Sequence, residues 1–110
     1  MKVLNRIKKN ADFNRVIEEG QSFKSDTIAL HFQKNTLGYT RIGISIPKKS
    51  GNAVVRNKMK RQIRAIIASD ISLDKSYDVI LIARKQFDID QFQKTKEDIK
   101  ELFKKSRINA

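Results

Sequence analysis

The 110-residue sequence has no cysteine, no tryptophan, one proline and one histidine. Without cysteine the chain forms no disulfide and no cysteine-based zinc site, and it offers no thiol nucleophile. The longest purely apolar run, residues 79–83, has the length of a strand and is too short to span a membrane. The residues before position 10 are basic and lack the apolar run of a signal peptide. We therefore expect a soluble, cytoplasmic protein.

Acidic residues are also scarce, above all in the middle of the chain. Lys and Arg number 24 against 12 Asp and Glu, which gives a net charge of +12. Nine basic residues and no acidic one lie between Asp26 and Asp70. A net charge of this size exceeds what solubility requires and is typical of a protein that binds nucleic acid.

The scattered carboxylates argue against catalysis by the protein itself. No set of Asp and Glu residues from separate segments forms the pattern of a two-metal nuclease site. The single histidine, His31, lies in a segment with strand-like alternation, where a packing or stacking role is commoner than a catalytic one. We predict no catalytic residue and no metal ligand in this chain.

What the chain does have is a basic segment, residues 48–64, in which seven residues are Lys or Arg. Gly51 and Asn52 indicate a loop that turns into a helix, because Gly adopts φ angles that other residues avoid and Asn is a preferred N-cap. Helical spacing then predicts one apolar stripe, formed by Val55, Met59, Ile63, Ile66 and Ile67.

The polar flank of that predicted helix is cationic. At about 100° per residue, the residues beside the stripe are Arg56, Lys60 and Arg64, with Asn57 and Arg61 further round. Like charges stacked on a helix repel, and ordinary solvated faces interleave both signs. The pattern therefore favours a polyanionic partner over a merely solvated surface.

The remaining periodicity predicts one α+β domain over residues 1–110, with residues 1–9 as a flexible basic arm. The expected order is α-β-β-β-α-β-α, a single four-stranded sheet with helices packed on it. The expected strands cover 22–25, 27–33, 41–46 and 77–83, and the expected basic helix covers 52–69. The other two helices are expected to be capped at Asn10 or Asp12 and at Asp88 or Asp90, the first of them ending at Gly20.

Burial can be predicted from the same spacing. On the first helix we expect Val16 in the core, while the spacing leaves Phe13 and Ile17 either in the core or at a semi-exposed apolar edge. On the last helix the residues expected to face the core are Phe92, Ile99, Leu102 and Phe103.

The alternating segments 27–33 and 41–46 predict two adjacent antiparallel strands with a bulky apolar face. The opposite face would carry small and polar residues, namely Ala29, His31, Gly43 and Ser45. We expect that face to lie open rather than under a helix, as a shallow floor for a ligand.

Residues 48–61, KKSGNAVVRNKMKR, resemble the signature of the protein-subunit family of bacterial ribonuclease P, the RNR motif GNAVxRNRxKR. Residues 6–13 and 82–85 are similar to the opening and to the last strand of that family, so the resemblance covers nearly the whole chain. The chain departs from the family pattern at Lys58, where Arg is frequent, and at Ile17 and His31, where relatives carry aromatic residues.

The resemblance implies a ribonucleoprotein endonuclease that cuts precursor tRNA to leave the mature 5′ end. The RNA subunit is the catalyst and holds most of the Mg²⁺, while the small protein binds that RNA and the 5′ leader of the substrate. It also implies a ribosomal-protein-like sandwich with a left-handed βαβ crossover, against the usual right-handed rule. No membrane or DNA partner is implied.

The resemblance assigns site residues by position in the motif. Those expected to contact the catalytic RNA are Arg56, Asn57, Lys58 and Arg61. Those expected to line the leader cleft are Phe13, Ile17, His31, Lys60 and Arg64. For Asn57, orienting the hydration of a shared Mg²⁺ is conceivable, but a structural amide is the commoner role.

Three other functions fit parts of the pattern. A ribosomal protein that clamps rRNA would share the basic helix but would need no open sheet face. A DNA-binding regulator would need a helix-turn-helix partner, whereas strands precede this helix. A metal-dependent nuclease acting alone is disfavoured by the scattered carboxylates.

Overall fold

Four strands and three α-helices make up residues 5–108, the part of the chain that the computed structural model describes. In chain order they are α1 (Asn10–Glu19), β1 (Gln21–Lys24), β2 (Ile28–Lys34), β3 (Arg41–Ser45), a 3₁₀ turn (Lys48–Ser50), α2 (Ala53–Asp70), β4 (Tyr77–Ala83) and α3 (Phe92–Ser106). The predicted α+β class and element order are confirmed.

The sheet has the strand order β1-β2-β4-β3. Because β4 lies between β2 and β3, antiparallel to the first and parallel to the second, the predicted adjacency of segments 27–33 and 41–46 is wrong. Val79, Ile80 and Leu81 in β4 are fully buried, and a strand that is apolar on both faces is best covered at the centre of a sheet. The chain passes from β3 through α2 to its parallel neighbour β4; the left-handed sense of this crossover stays a prediction.

The main core lies between the sheet and the helices α2 and α3. Its fully buried side chains include Ile28, Leu30, Ile42, Ile63, Ile66, Ile67, Leu81, Ile99, Leu102 and Phe103. The predicted stripe of α2 is thus confirmed, although Val55 at its start is only half-buried. Phe92 was expected in the core and is 39% exposed, because it is the first residue of α3 and lies beyond the part that packs on the sheet.

Helix α1 packs on the opposite face of the sheet. Val16 is fully buried there with Ile7 and Ile80, and Phe13 packs against the same small cluster. Phe13 also lies directly on Gly43, where a Cβ atom would come within 2.5 Å of the Phe13 ring.

The expectation that this sheet face lies open is therefore wrong at Gly43. The small side of β3 is not a ligand floor there, because it makes room for an aromatic ring of α1. Ala29, His31 and Ser45 remain half-exposed on the rest of the face.

One of the three predicted helix starts is confirmed. Asn52 is the N-cap of α2, and its side-chain oxygen accepts a hydrogen bond from the Val55 N–H at 3.0 Å. The preceding Gly51 has φ +154°, as its position in the turn requires.

The other two N-caps were predicted wrongly. Lys9 is the N-cap of α1, since Asp12 is engaged in ion pairs with arginines. Gln91 is the N-cap of α3, since the Asp88 carboxylate accepts the Asp90 N–H in a turn of its own. Asn10 is already the first residue of α1, and Asp12 and Asp88 have other partners, so propensity alone gave the wrong caps.

Gly20 ends α1 as predicted. Its φ of −80° is open to any residue. A Cβ atom at this position would lie 2.4 Å from the Phe32 carbonyl oxygen, so glycine is required by close backbone approach to β2.

The expected flexible arm was residues 1–9, of which 1–4 lie outside the described residues. The expectation is wrong for the remainder of the arm as far as Ile7. Asn5 and Ile7 are both buried, Asn5 donates to the Thr40 carbonyl at 2.8 Å, and the Ile7 N–H donates to the Ile42 carbonyl at 3.0 Å. This segment is held because it covers part of the outer edge of β3.

A buried carboxylate, Asp78 of β4, joins the sheet to α1. It is 1% exposed and accepts two hydrogen bonds from Arg41, at 2.9 and 2.7 Å. Arg15 of α1 donates to it at 3.0 Å and Asn35 at 2.9 Å. Asp12 completes the network by pairing with both arginines.

Asp78 stays ionised despite its burial. Burial alone would raise the pKa of the carboxyl, but the hydrogen bonds from Arg41 and Asn35 and the charges of Arg41 and Arg15 outweigh burial and lower its pKa below the ordinary value. Arg41, one of the nine cations of the acid-free middle segment, is neutralised inside the protein by this contact.

Replacing Asp78→Asn should therefore destabilise the fold by about 3 kcal/mol, because it leaves two arginines beside a group that cannot balance them. The Asp78 contribution is present above the pKa of the unfolded chain, near pH 4, and is lost as the pH falls through the lower folded pKa. The stability gap between the native chain and the variant should accordingly narrow on acidification. Urea unfolding at several pH values measures both, with exposed Glu101→Gln as the control; a pH-independent gap would contradict the assignment.

Gly43→Ala should destabilise the fold by about 1–3 kcal/mol, because its Cβ displaces the Phe13 ring. In a Phe13→Ala background the same change should cost less than about 0.5 kcal/mol, since the obstructing ring is gone. Urea unfolding of the four chains gives the coupling. Equal costs in the two backgrounds would show that the ring does not set the requirement for glycine.

Candidate nucleic-acid interface

Helix α2 carries a set of cations that form no ion pair with the described residues. They are Arg56, Lys58, Lys60, Arg61 and Arg64. Within residues 5–108 no carboxylate forms an ion pair with any of them. On α3, by contrast, Lys94, Lys96 and Lys100 each pair with an aspartate.

Two of these cations line a groove beside the edge strand β3, which we call the β3-edge groove. Lys60 and Arg64 form one wall, and Phe13 with Gly43 forms part of the floor. The groove has a volume of about 250 Å³. Because β3 is an edge strand, this groove lies at the margin of the sheet, beside two cations of α2.

The N-terminal segment supplies further cations to the β3-edge groove. Arg6 and Lys8 line it, and Arg6 forms a β-bridge with Ile42. The sequence showed these residues to be basic but gave no sign that they would join Lys60 and Arg64. Their position follows from the Ile7–Ile42 hydrogen bond, a long-range contact that local periodicity does not encode.

The neighbouring flank of α2 faces a second groove. Lys58 and Arg61 line it together with Ile89 and Asp90 of the segment before α3. Gln62 holds that segment in place by donating to the Ile89 carbonyl at 2.8 Å. Successive cations of one helix therefore face two different grooves.

Arg56 and Arg64 are half-buried, and the Nε atom of each is buried without a hydrogen-bond partner in the described part of the chain. Asn57, next along α2, is exposed. Because neither guanidinium is used by a carboxylate of residues 5–108, the outer nitrogens of both are available to an external acceptor.

His31 and Ile17 do not line the β3-edge groove. His31 of β2 lies on the same face of the sheet, in one cross-strand row with Ile80 and Gly43. Ile17 is 39% exposed on α1. The structure thus brings Phe13, Lys60 and Arg64 together, while these two lie apart from that groove.

Burial lowers the pKa of His31, so the imidazole is neutral at physiological pH. It therefore offers a partly apolar surface for contact rather than a further positive charge.

A third groove lies at the carboxyl ends of β3 and β4. Pro47, Lys49, Arg84 and Lys85 line it. Arg84 also donates to the Ser25 carbonyl and so braces the start of β2. Lys85 is exposed.

Two features are absent from the described residues. No three His, Asp or Glu side chains among residues 5–108 are grouped so that they could hold a metal ion. In the same part of the chain, no helix combines the length and apolar character needed to cross a membrane.

Comparison with known proteins agrees with this surface. The family model described as Ribonuclease P matches residues 1–107. The ribonuclease P protein component of Mesoplasma florum is 39% identical over 98 residues, which cover 87% of this chain and 89% of the relative. The ribonuclease P protein component of Bacillus velezensis is 39% identical over 109 residues, which cover 98% of this chain and 94% of the relative.

Solved structures give the same result. The RNase P protein of Staphylococcus aureus superposes with a TM-score of 0.84 at 34% identity, covering 96% of this chain and 98% of the other. The RNase P protein from Thermotoga maritima superposes with a TM-score of 0.79 at 31% identity, and the match covers 91% of this chain and 96% of the other. These similarities do not favour the ribosomal-protein alternative.

A family match over almost the entire length, relatives well above 30% identity and a shared fold all agree with the RNR-type segment of α2. The chain belongs to the family of ribonuclease P protein components.

Proposed function

We propose that this protein binds the catalytic RNA of ribonuclease P through one flank of α2 and holds the 5′ leader of precursor tRNA in the β3-edge groove. The observation that carries the proposal is the division of unpaired α2 cations between two grooves, one of which contains an aromatic ring. In this arrangement the RNA subunit cuts the substrate, and the protein selects it, in the bacterial cytoplasm.

The proposed contacts to the catalytic RNA are made by Arg56, Asn57, Lys58 and Arg61. Lys58 and Arg61 line the second groove rather than the β3-edge groove, and Asp90, which lines it with them, forms no ion pair with either in the described chain. Lys58 supplies a compact charge where many relatives have the planar fork of Arg, so it is suited to a single phosphate oxygen rather than to a bidentate contact.

The proposed leader-binding residues are Phe13, Ile17, His31, Lys60 and Arg64. Lys60 and Arg64 would lie along the phosphates, and the ring of Phe13 offers a stacking surface for a base. Ile17 and the neutral His31 would extend the apolar surface across the α1 face of the sheet. Such contacts do not read base edges, and an enzyme whose substrates have different leaders requires this tolerance.

The leader contacts explain how a non-catalytic protein can favour substrate over product. Mature tRNA lacks the leader, so every favourable contact in the groove adds to the affinity for the precursor alone. The described residues offer no group of carboxylates for Mg²⁺, and the proposal therefore assigns the metal ions to the RNA. By holding the leader the protein would orient the scissile bond without touching it.

Lys60→Ala should weaken the affinity of the holoenzyme for precursor tRNA about tenfold, because it removes one charged contact to a leader phosphate. The affinity for mature tRNA should change by less than twofold. The measurement reconstitutes the variant with a ribonuclease P RNA and titrates both tRNAs, with exposed Lys75→Ala as the control. Equal losses of affinity for precursor and mature tRNA would contradict leader binding in the groove. If the native chain itself bound both tRNAs equally well, a ribosomal protein that clamps rRNA would be favoured.

Binding of precursor tRNA should fall steeply with salt, because each neutralised phosphate releases counterions. The slope of log affinity against log salt should decrease by about one unit when Arg64→Ala removes one phosphate contact. The slope is measured by titrating the reconstituted holoenzyme at salt concentrations that span about one decade, from roughly 50 to roughly 400 mM. A slope unaffected by the substitution would place Arg64 outside the contact.

A further inference from the structure

A further groove, distinct from the three described above, lies at the opposite edge of the sheet. Residues of β1 and β2 line it, and its rim carries cations. The rings of Phe23, Phe32 and Tyr77 contribute its floor, and Lys34, Lys105 and Arg107 contribute its rim. We call it the β1-edge groove. Its volume is about 450 Å³, and it shares no lining residue with the β3-edge groove.

The floor is a set of stacked rings. The Phe23 and Phe32 rings are nearly parallel, with centroids 6.0 Å apart and planes at 10°, and Tyr77 meets Phe32 edge-on at 6.1 Å. Phe32 is 7% exposed, whereas Phe23 on the edge strand is 39% exposed. An exposed ring already backed by a parallel ring is a preformed platform for a flat ligand.

Tyr77 adds a polar group to the same floor. It is half-buried and meets Phe32 edge-on, so its phenol belongs to the lining of the groove. A phenol in the lining of a groove can donate to or accept from a bound ligand.

The rim carries more positive than negative charge among the described residues. Lys34, Lys105 and Arg107 form no ion pair within residues 5–108, and Glu19 is the one acidic residue of the lining. Elsewhere on α3 the lysines are matched by aspartates, so this end of the helix retains an excess of positive charge.

Arg107 is held at the rim in a backbone conformation that glycine adopts more readily. Its φ of 62° and ψ of 17° are left-handed helical, and it is the C-cap of α3. The turn itself has a structural purpose, because it carries Ile108 into the core, where it is 1% exposed. Glycine would make that turn with less strain, so the arginine side chain is not explained by the fold.

We propose that the β1-edge groove binds a single-stranded RNA segment distinct from the leader, with a base on Phe23 and phosphates near Lys34, Lys105 and Arg107. The combination of a flat aromatic floor and unpaired cations fits bases joined by phosphates. An acidic peptide would satisfy the cations but would not need the parallel ring stack.

The test uses the full chain and a single-stranded RNA hexanucleotide containing 4-thiouridine. Photocrosslinks mapped by mass spectrometry should include Phe23 or Tyr77, and they should persist in Lys60→Ala. The local dissociation constant is obtained from NMR shifts of backbone amides in β1 and at the end of α3 as the same RNA is titrated. Crosslinks confined to α2 and the β3-edge groove would overturn the proposal.

Phe23→Ala should raise that local dissociation constant about tenfold, because base stacking on an aromatic ring is lost. Phe92→Ala is the matched control, since Phe92 is equally exposed at 39% but lies outside the groove. Equal effects of the two substitutions would overturn the stacking role. Circular dichroism establishes that both variants are folded.

Charge reversal provides a second, independent comparison. Lys105→Glu should raise the dissociation constant for the RNA more than tenfold. Lys104→Glu changes the neighbouring residue, which lies outside the lining, and its effect on the logarithm of that constant should be less than a third as large. Arg107→Gly should weaken binding about threefold while the melting temperature stays level or rises, which a purely structural arginine would not do. If an acidic peptide gave saturable shifts of the backbone amide signals and the RNA gave none, the RNA proposal would be overturned and a protein partner would be indicated.

Discussion

Burial of one apolar stripe keeps five unpaired cations on α2. Met59, Ile63, Ile66 and Ile67 are at most 2% exposed, and burying each such side chain is worth about 1.5–3 kcal/mol. Repulsion between like charges one turn apart costs a few tenths of a kcal/mol per pair. Hydrophobic burial therefore exceeds the repulsion several-fold, and the helix can present positive charge to RNA without carboxylates to balance it.

The same chain also uses positive charge internally, in a different environment. Arg41 lies beside the buried Asp78 and contributes to attaching α1 to the sheet, so its charge is not available to a partner. The cations of α2 have no such carboxylate in the described chain. Function and architecture are thus served by the same residue type, and the presence or absence of a nearby aspartate determines which role an arginine has.

The position of α1 decides the shape of the candidate leader site. Small residues on a strand face suggested a bare floor, but Gly43 receives the ring of Phe13. The accessible surface is displaced from the middle of the sheet to the edge of β3, where Lys60 and Arg64 lie. Packing of Phe13 on Gly43 thereby places its ring beside Lys60 and Arg64, so that an aromatic surface and two cations line the same groove.

The sequence by itself determined the features that depend on near neighbours in the chain: the α2 stripe, the Asn52 cap, the alternation of β2 and the acid-free cationic flank. The contacts of Asp78, the position of β4 between β2 and β3, the cover of Phe13 over Gly43 and the joining of Arg6 to the α2 cations were decided only by tertiary structure. Local periodicity reports which side of an element is apolar, but it carries no information about which distant element covers that side. Pairings between residues more than 30 positions apart, such as Arg41 with Asp78, exist only once the chain has folded.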